Sequence, residues 1–203
     1  MMSPLTTRAS MMALTLLLAG PGAPGAQVIE PASHSPEAPL SRVRPLDNAA
    51  RNVMDQAAAA SPTVARMIAE LQATDLVVSV QTCPLPKLLN GDARVVAAAG
   101  GVRHVRIRLS IPRATPDLIS VLGHELQHAL EFAAMPEIVD AGSLVRAYRQ
   151  MGAVPMRDGL YETEAALEAG RIVAAELKLS SHRSEVTSKH PSHDRHHRKP
   201  DGE

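Results

Sequence analysis

Aromatic side chains are almost missing from this 203-residue chain, which has no tryptophan and only Phe132, Tyr148 and Tyr161 as rings. A core without rings must be filled by Leu, Val, Ile, Met and abundant Ala, a supply that suits closely packed helices. The single cysteine, Cys83, excludes an internal disulfide. With no histidine arranged around it, it reads as a structural thiol. Net charge is absent too: 21 basic residues balance 21 acidic ones. That leaves no general electrostatic case for nucleic acid or an anionic membrane, and no nucleic-acid partner is expected.

A membrane-length apolar run is also missing. Met11 to Gly20 (MMALTLLLAG) is apolar but shorter than the roughly 20 residues of a span. Arg8 precedes it and the small, turn-prone Pro21 to Ala26 follow, the layout of an export signal over residues 1–26. The protein is therefore expected to be exported, periplasmic or secreted, with no stable membrane span after cleavage. The alternative is a tether formed by an uncleaved signal.

Residues 27–45 are rich in Pro and Ser without periodicity and read as a linker. A folded domain is expected over 46–180. Asp47 caps a helix through Ala60, and Ser61-Pro62 restarts a second one carrying Val64, Met67, Ile68 and Leu71. Leu76 to Gln81 reads as a strand, Cys83 to Asp92 as a loop, and Ala93 to Ala98 and Val102 to Ile111 as two strands around Gly100-Gly101. In the last, Arg103, Val105, Ile107, Leu109 and Ile111 share one face. His104 falls on the other, polar face and reads as a surface residue. Thr115-Pro116-Asp117 opens a helix, with Thr115 as cap, that ends at Pro136. Leu144 to Met151 is helical, Gly152 to Gly159 a loop, and Tyr161 to Leu179 a final helix. The tail over 181–203 holds His182, His190, His193, His196 and His197. It reads either as a loose metal-binding segment or as a plain soluble extension.

The chemistry sits in the helix between Thr115 and Pro136. His124-Glu125-Leu126-Gln127-His128 is His-Glu-x-x-His, and residues four apart share one helical face. Both imidazoles can converge on one ion. Glu125, about 100° further round, can reach a water on that ion without displacing either. A zinc hydrolase needs a third protein ligand and an open position. The metzincin continuation fails, because positions 131 and 134 are Glu131 and Ala134. A di-iron bundle would need a second Glu-x-x-His, which the chain lacks. The third ligand then falls to a carboxylate of the last helix. On helical phase Glu162 shares a small apolar face with Ala165, Ala166, Ala169, Ile172 and Val173. Glu164, the alternative third ligand, shares a charged one with Glu168 and Arg171. Glu131 lies on the histidines' own helix and is expected to orient His128 from behind.

These two segments, His124 to His128 and Glu162-Thr163-Glu164-Ala165, resemble the gluzincin type of zinc metallopeptidase, over about Ala93 to Leu179. The resemblance implies a small α+β, zincin-like domain: a short antiparallel or mixed sheet packed on the active-site helix, and a C-terminal helix carrying the third ligand. It implies Zn²⁺ as cofactor, a peptide or protein substrate laid along an edge strand, and hydrolysis with Glu125 as general base. Tyr161 or Tyr148 could donate to the developing oxyanion, or simply pack. The alternative is a non-catalytic zinc-binding domain with a structural or partner-binding role. The departures from the family are small size and few aromatic residues.

Overall fold

The computed structural model describes residues 41–156 and 160–188. The expected signal segment (1–26), most of the linker, and His190, His193, His196 and His197 lie outside them. The chain folds as α+β.

Order begins earlier than the linker reading allows. Val43–Pro45 is already a strand, β1, because Val43 is a core residue and pairs with Val78. Asp47 then caps α1 (Asn48–Ala60), accepting the Ala50 N–H at 2.8 Å. Ser61 caps α2 (Pro62–Gln72) through the Val64 N–H. The Ser61 and Thr63 hydroxyls both donate to Glu176, tying that helix start to the last helix. Strand β2 (Leu76–Cys83) follows, then β3 (Gly91–Ala99) and β4 (Val102–Ser110). The expected loop thus ends at Asn90, and Asp92 is already in a strand. Cys83 is a free thiol, half-buried at the end of β2.

The four strands lie in the order β1-β2-β4-β3, with β1, β2 and β4 parallel and β3 antiparallel to β4. Register puts Val43, Val78, Val105 and Val95 in one transverse row, all nearly or fully buried. β-branched side chains suit such a pleated, covered face. Helices α1, α2 and α3 (Thr115–Ala134) pack over it, and α5 (Glu164–Ser188) packs on α3. The apolar parity of β4 is observed, with two exceptions. Arg103 is only 3% exposed although charged, and Ile111 lies past the strand and is 37% exposed. His104 is exposed, as its parity requires.

Three expected boundaries shift. The cap of α3 is Ala114, which offers no side-chain bond; Thr115 is already helical. Helix α4 spans Ala141–Gln150, started by the Asp140–Ser143 capping box. The final helix does not include Tyr161 or Glu162. These pair as strand β6 with β5 (Val154–Pro155) in a two-stranded ladder. Thr163 Oγ1 then accepts the Ala166 N–H at 3.1 Å, so α5 starts at Glu164. At its far end α5 runs to Ser188, which places His182 on a helix and not in a tail. No helix among the described residues is long and apolar enough to cross a membrane.

Candidate metal centre

Helix α3 brings its two histidines to the same face, with ring centroids 4.9 Å apart. Strand β6 delivers Glu162 to them from outside the helix. Its Oε1 is 3.3 Å from His124 Nε2 and 3.7 Å from His128 Nε2. One ligand atom from each of the three lies within 4.8 Å of the others. For tetrahedral zinc with bonds of about 2.0–2.1 Å, ligand atoms sit about 3.3–3.4 Å apart, close to the two distances that Glu162 makes. The donor set could therefore hold a metal ion.

The helical-phase argument picked Glu162, but for a cause that does not operate: Glu162 is extended and has no helical phase. What turns it inward is its pairing with Val154 and the turn into the Thr163 cap. Glu164, the first residue of α5, is not brought to the histidines. Its side chain is 78% exposed and paired with Arg171 at 3.0 Å.

Behind the histidines the supports are specific. Glu131 Oε2 accepts from His128 Nδ1 at 2.9 Å and from the Tyr148 hydroxyl at 2.7 Å. Glu131 Oε1 accepts from Thr163 Oγ1 at 2.6 Å. Protonation of His128 at Nδ1 leaves the Nε2 lone pair facing Glu162, the tautomer a ligand needs. Burial would push the Glu131 carboxyl up, but the bonds from His128, Thr163 and Tyr148 outweigh it and hold it below the usual carboxylate range. The orienting role expected of Glu131 therefore has its geometry.

Tyr148 belongs to this network and also lines the small cavity at the centre. It is 2% exposed, with its hydroxyl on Glu131 and 3.2 Å from His128 Nδ1. Burial and the adjacent Glu131 charge raise its pKa, so it stays a neutral donor. Its hydroxyl is thus engaged by Glu131. Tyr161 stacks on the Tyr148 ring, centroids 5.4 Å apart, and lines a small cavity with Glu125, His128 and Glu162.

His124 is pushed down to about 4 by burial and by the nearby His128, so it is a neutral donor. Glu125, one residue on, is 4% exposed, and burial with the charges of Asp92 and Glu162 raises its pKa well above the usual value. Its carboxylate is tucked beneath the first residue of β3. A Cβ on Gly91 would lie 2.7 Å from Glu125 Oε1 and 2.6 Å from Val121 Cγ1. Only glycine lets the strand come this near. Gly123 plays the same part between the helices, where a Cβ would meet Val173 Cγ2 at 2.6 Å. A cleft of about 440 Å³ opens over His124, Glu125 and Glu162, walled by Leu89, Val121, Met156 and Leu167.

The chain matches no protein-family model, no curated protein and no solved structure. What it can do must be read from the centre itself.

Sequence reasoning singled out His124, Glu125, His128, Glu131 and Glu162, and they meet here. It missed Thr163, Gly91 and Gly123. For Thr163 a signal existed: a hydroxyl residue directly before Glu164 and a run of alanines is a helix start. For the glycines there was none, since close approach between distant elements leaves no local mark.

Proposed function

We propose that the protein is a zinc-dependent hydrolase of the gluzincin type that cleaves peptide bonds, with His124, His128 and Glu162 holding the metal. The observation that carries this reading is the convergence of three donor atoms, two of them imidazole nitrogens, beside a carboxylate that is not one of the three. Zn²⁺ held there supplies Lewis acidity, which brings the pKa of water towards about 7. Glu125 takes a proton at its carboxylate as water attacks the peptide carbonyl, and returns it to the nitrogen that leaves. A buried carboxylate of raised pKa is suited to both halves of that exchange. Strand β3 is a sheet edge and begins against Glu125, so an extended peptide can add to it beside the centre. Tyr161 lines the same cavity and is the candidate donor to the oxyanion. Export to the periplasm or exterior, by the segment over 1–26, remains part of this proposal.

The second reading, a zinc centre without turnover, has one observation on its side: Glu125 is buried at 4% exposure. Metal content and hydrolysis of an unfolded protein substrate, measured together, separate the two. Chelation should abolish hydrolysis and added zinc restore it. Glu162→Ala should weaken zinc binding by more than the roughly 10–100-fold that loss of an outer partner costs, and Glu164→Ala should change nothing. Full zinc content in Glu162→Ala would refute the ligand set. Zinc bound by the parent without any turnover would leave the non-catalytic reading.

Thr163 gives a further expectation. Its hydroxyl fastens Glu131 and caps α5, so it fixes the backbone on which Glu162 stands. Thr163→Val should lower zinc affinity by about 10–100-fold, measured by competition with a chelator, while Thr163→Ser keeps it. Equal affinity in Val and Ser variants would show that the hydroxyl positions nothing.

A further inference from the structure

The sheet face turned away from the valine row carries a charge pattern that the hydrolase does not use. One residue along from that row, register aligns Arg44 on β1, Ser79 on β2, Arg106 on β4 and Arg94 on β3. Three of the four strands thus contribute a guanidinium to a single transverse row. The neighbouring row adds Arg108, whose cross-strand partner is Asp92. Asp92 is taken already: it accepts from Arg94 at 2.9 Å and from Arg108 at 2.7 Å. Arg44 spends its Nε on the Ser41 carbonyl, a neutral group. Among the described residues four arginines stand against one aspartate, a local surplus of three in a chain whose formal net charge is +0.

Arg106 is the anomaly. It is half-buried, it faces Arg94 directly across the ladder, and among the described residues it has no ion pair. Its Nε is buried without a hydrogen-bond partner, and it is the sole buried side-chain polar atom among those residues left so. Like charges opposite one another across a ladder are destabilising, and a buried donor on a charged group with no acceptor costs more. An anion beside these guanidinium groups offsets the like-charge cost.

We propose that Arg106, flanked by Arg94, Arg44 and the Ser79 hydroxyl, is the centre of a phosphate-binding site on the sheet face opposite the valine row. The donor set selects the ligand. Guanidinium forks bind tetrahedral oxyanions in bidentate fashion, and Ser79 adds a hydroxyl donor. A carboxylate would leave most of the local surplus unmatched, whereas a phosphoryl group brings about −1.5 to −2 charge at neutral pH and three or more acceptor oxygens. The group could arrive as free phosphate or on a lipid headgroup; the recognition chemistry is the same.

The test is calorimetric titration of the full-length, metal-loaded protein with inorganic phosphate at low, constant ionic strength. Alongside it runs co-sedimentation with phosphatidylcholine vesicles with and without phosphatidic acid. Arg106→Gln should weaken binding roughly tenfold or more. Ser79→Ala, which leaves every arginine in place, should weaken it several-fold and guards against a folding artefact in the first variant. Free phosphate binding that depends on Arg106 assigns a soluble ligand. Vesicle binding that depends on Arg106 and on phosphatidic acid, without free phosphate binding, assigns the headgroup. Binding unchanged in Arg106→Gln, or no binding of either probe by the parent, overturns the site.

Discussion

Glu125→Gln is expected to keep its zinc and to slow peptide hydrolysis by about 10²–10⁴-fold, the span that general acid–base groups contribute. The two halves of the result come from separate features of the centre. Zinc is kept because the three converging donors are His124, His128 and Glu162, and Glu125 is not among them. The fold is kept because Gln is nearly the same size and neutral. Glu125 lies in a site where burial and the charges of Asp92 and Glu162 already disfavour its ionised form. An amide there introduces no buried charge and fills the space beneath Gly91. Turnover is lost because an amide cannot accept the proton. Metal analysis, thermal unfolding and kcat on one sample decide it: hydrolysis at the parent rate sinks the base assignment, and loss of zinc sinks the division between ligands and base.

What the sequence revealed of this centre follows the range of the interactions involved. His124, Glu125 and His128 share one helix, so their geometry is set by the helical repeat and needs no tertiary knowledge. Capping at Asp47 and Ser61 is equally local, a bond spanning three residues. Glu162 was reached through helical phase, although it is held by a two-residue ladder with Val154 and Pro155. Two paired residues give no periodicity to read, so helical phase pointed to Glu162 for a reason that does not operate in the fold. Tyr148 was read as a possible donor to substrate because nothing near it in sequence predicts its partner. Glu131 lies 17 residues away, on another helix. The Thr163–Glu131 bond spans 32 residues and is invisible for the same cause. Alternation along β4 exposed the two faces of the sheet but gave no register. The alignment of Arg44, Arg106 and Arg94 appears only once β1 and β3 are placed on either side.

Loss of Arg103 should cost about 3–5 kcal/mol of stability. Its parity on β4 put a charge on the apolar face, and such an arginine needs partners to be tolerated there. It has them on both sides. Nε and Nη2 donate to the Asp75 carboxylate at 2.7 and 2.8 Å. Nη1 donates to the carbonyls of Phe132, Met135 and Ile138 at 2.7, 2.8 and 3.2 Å. Those carbonyls belong to the last turn of α3 and the segment after it, where a cation also complements the helix dipole. Arg103→Met would keep the apolar stem and remove the charged donor from all three, leaving Phe132 and Met135 only the backbone N–H groups of Met135 and Ile138. For a protein of this size the penalty corresponds to a fall in Tm of roughly 6–20 °C. Asp75→Asn should cost less, because Asp75 is 39% exposed on its side chain and the arginine would retain its carbonyls. The pair also carries a pH signature. Its bond to Arg103 lowers the Asp75 pKa from the ordinary 3.8, so its stabilisation is present above that value and is lost as pH falls through the lowered one. Arg103→Met should lack that part of the acid response. Phe132 lies one helical turn beyond His128, so a frayed end of α3 should also loosen the Glu131–His128 bond and weaken zinc. A variant with parental Tm and parental zinc affinity would mean that water or other donors satisfy these carbonyls, and that the arginine merely fills space.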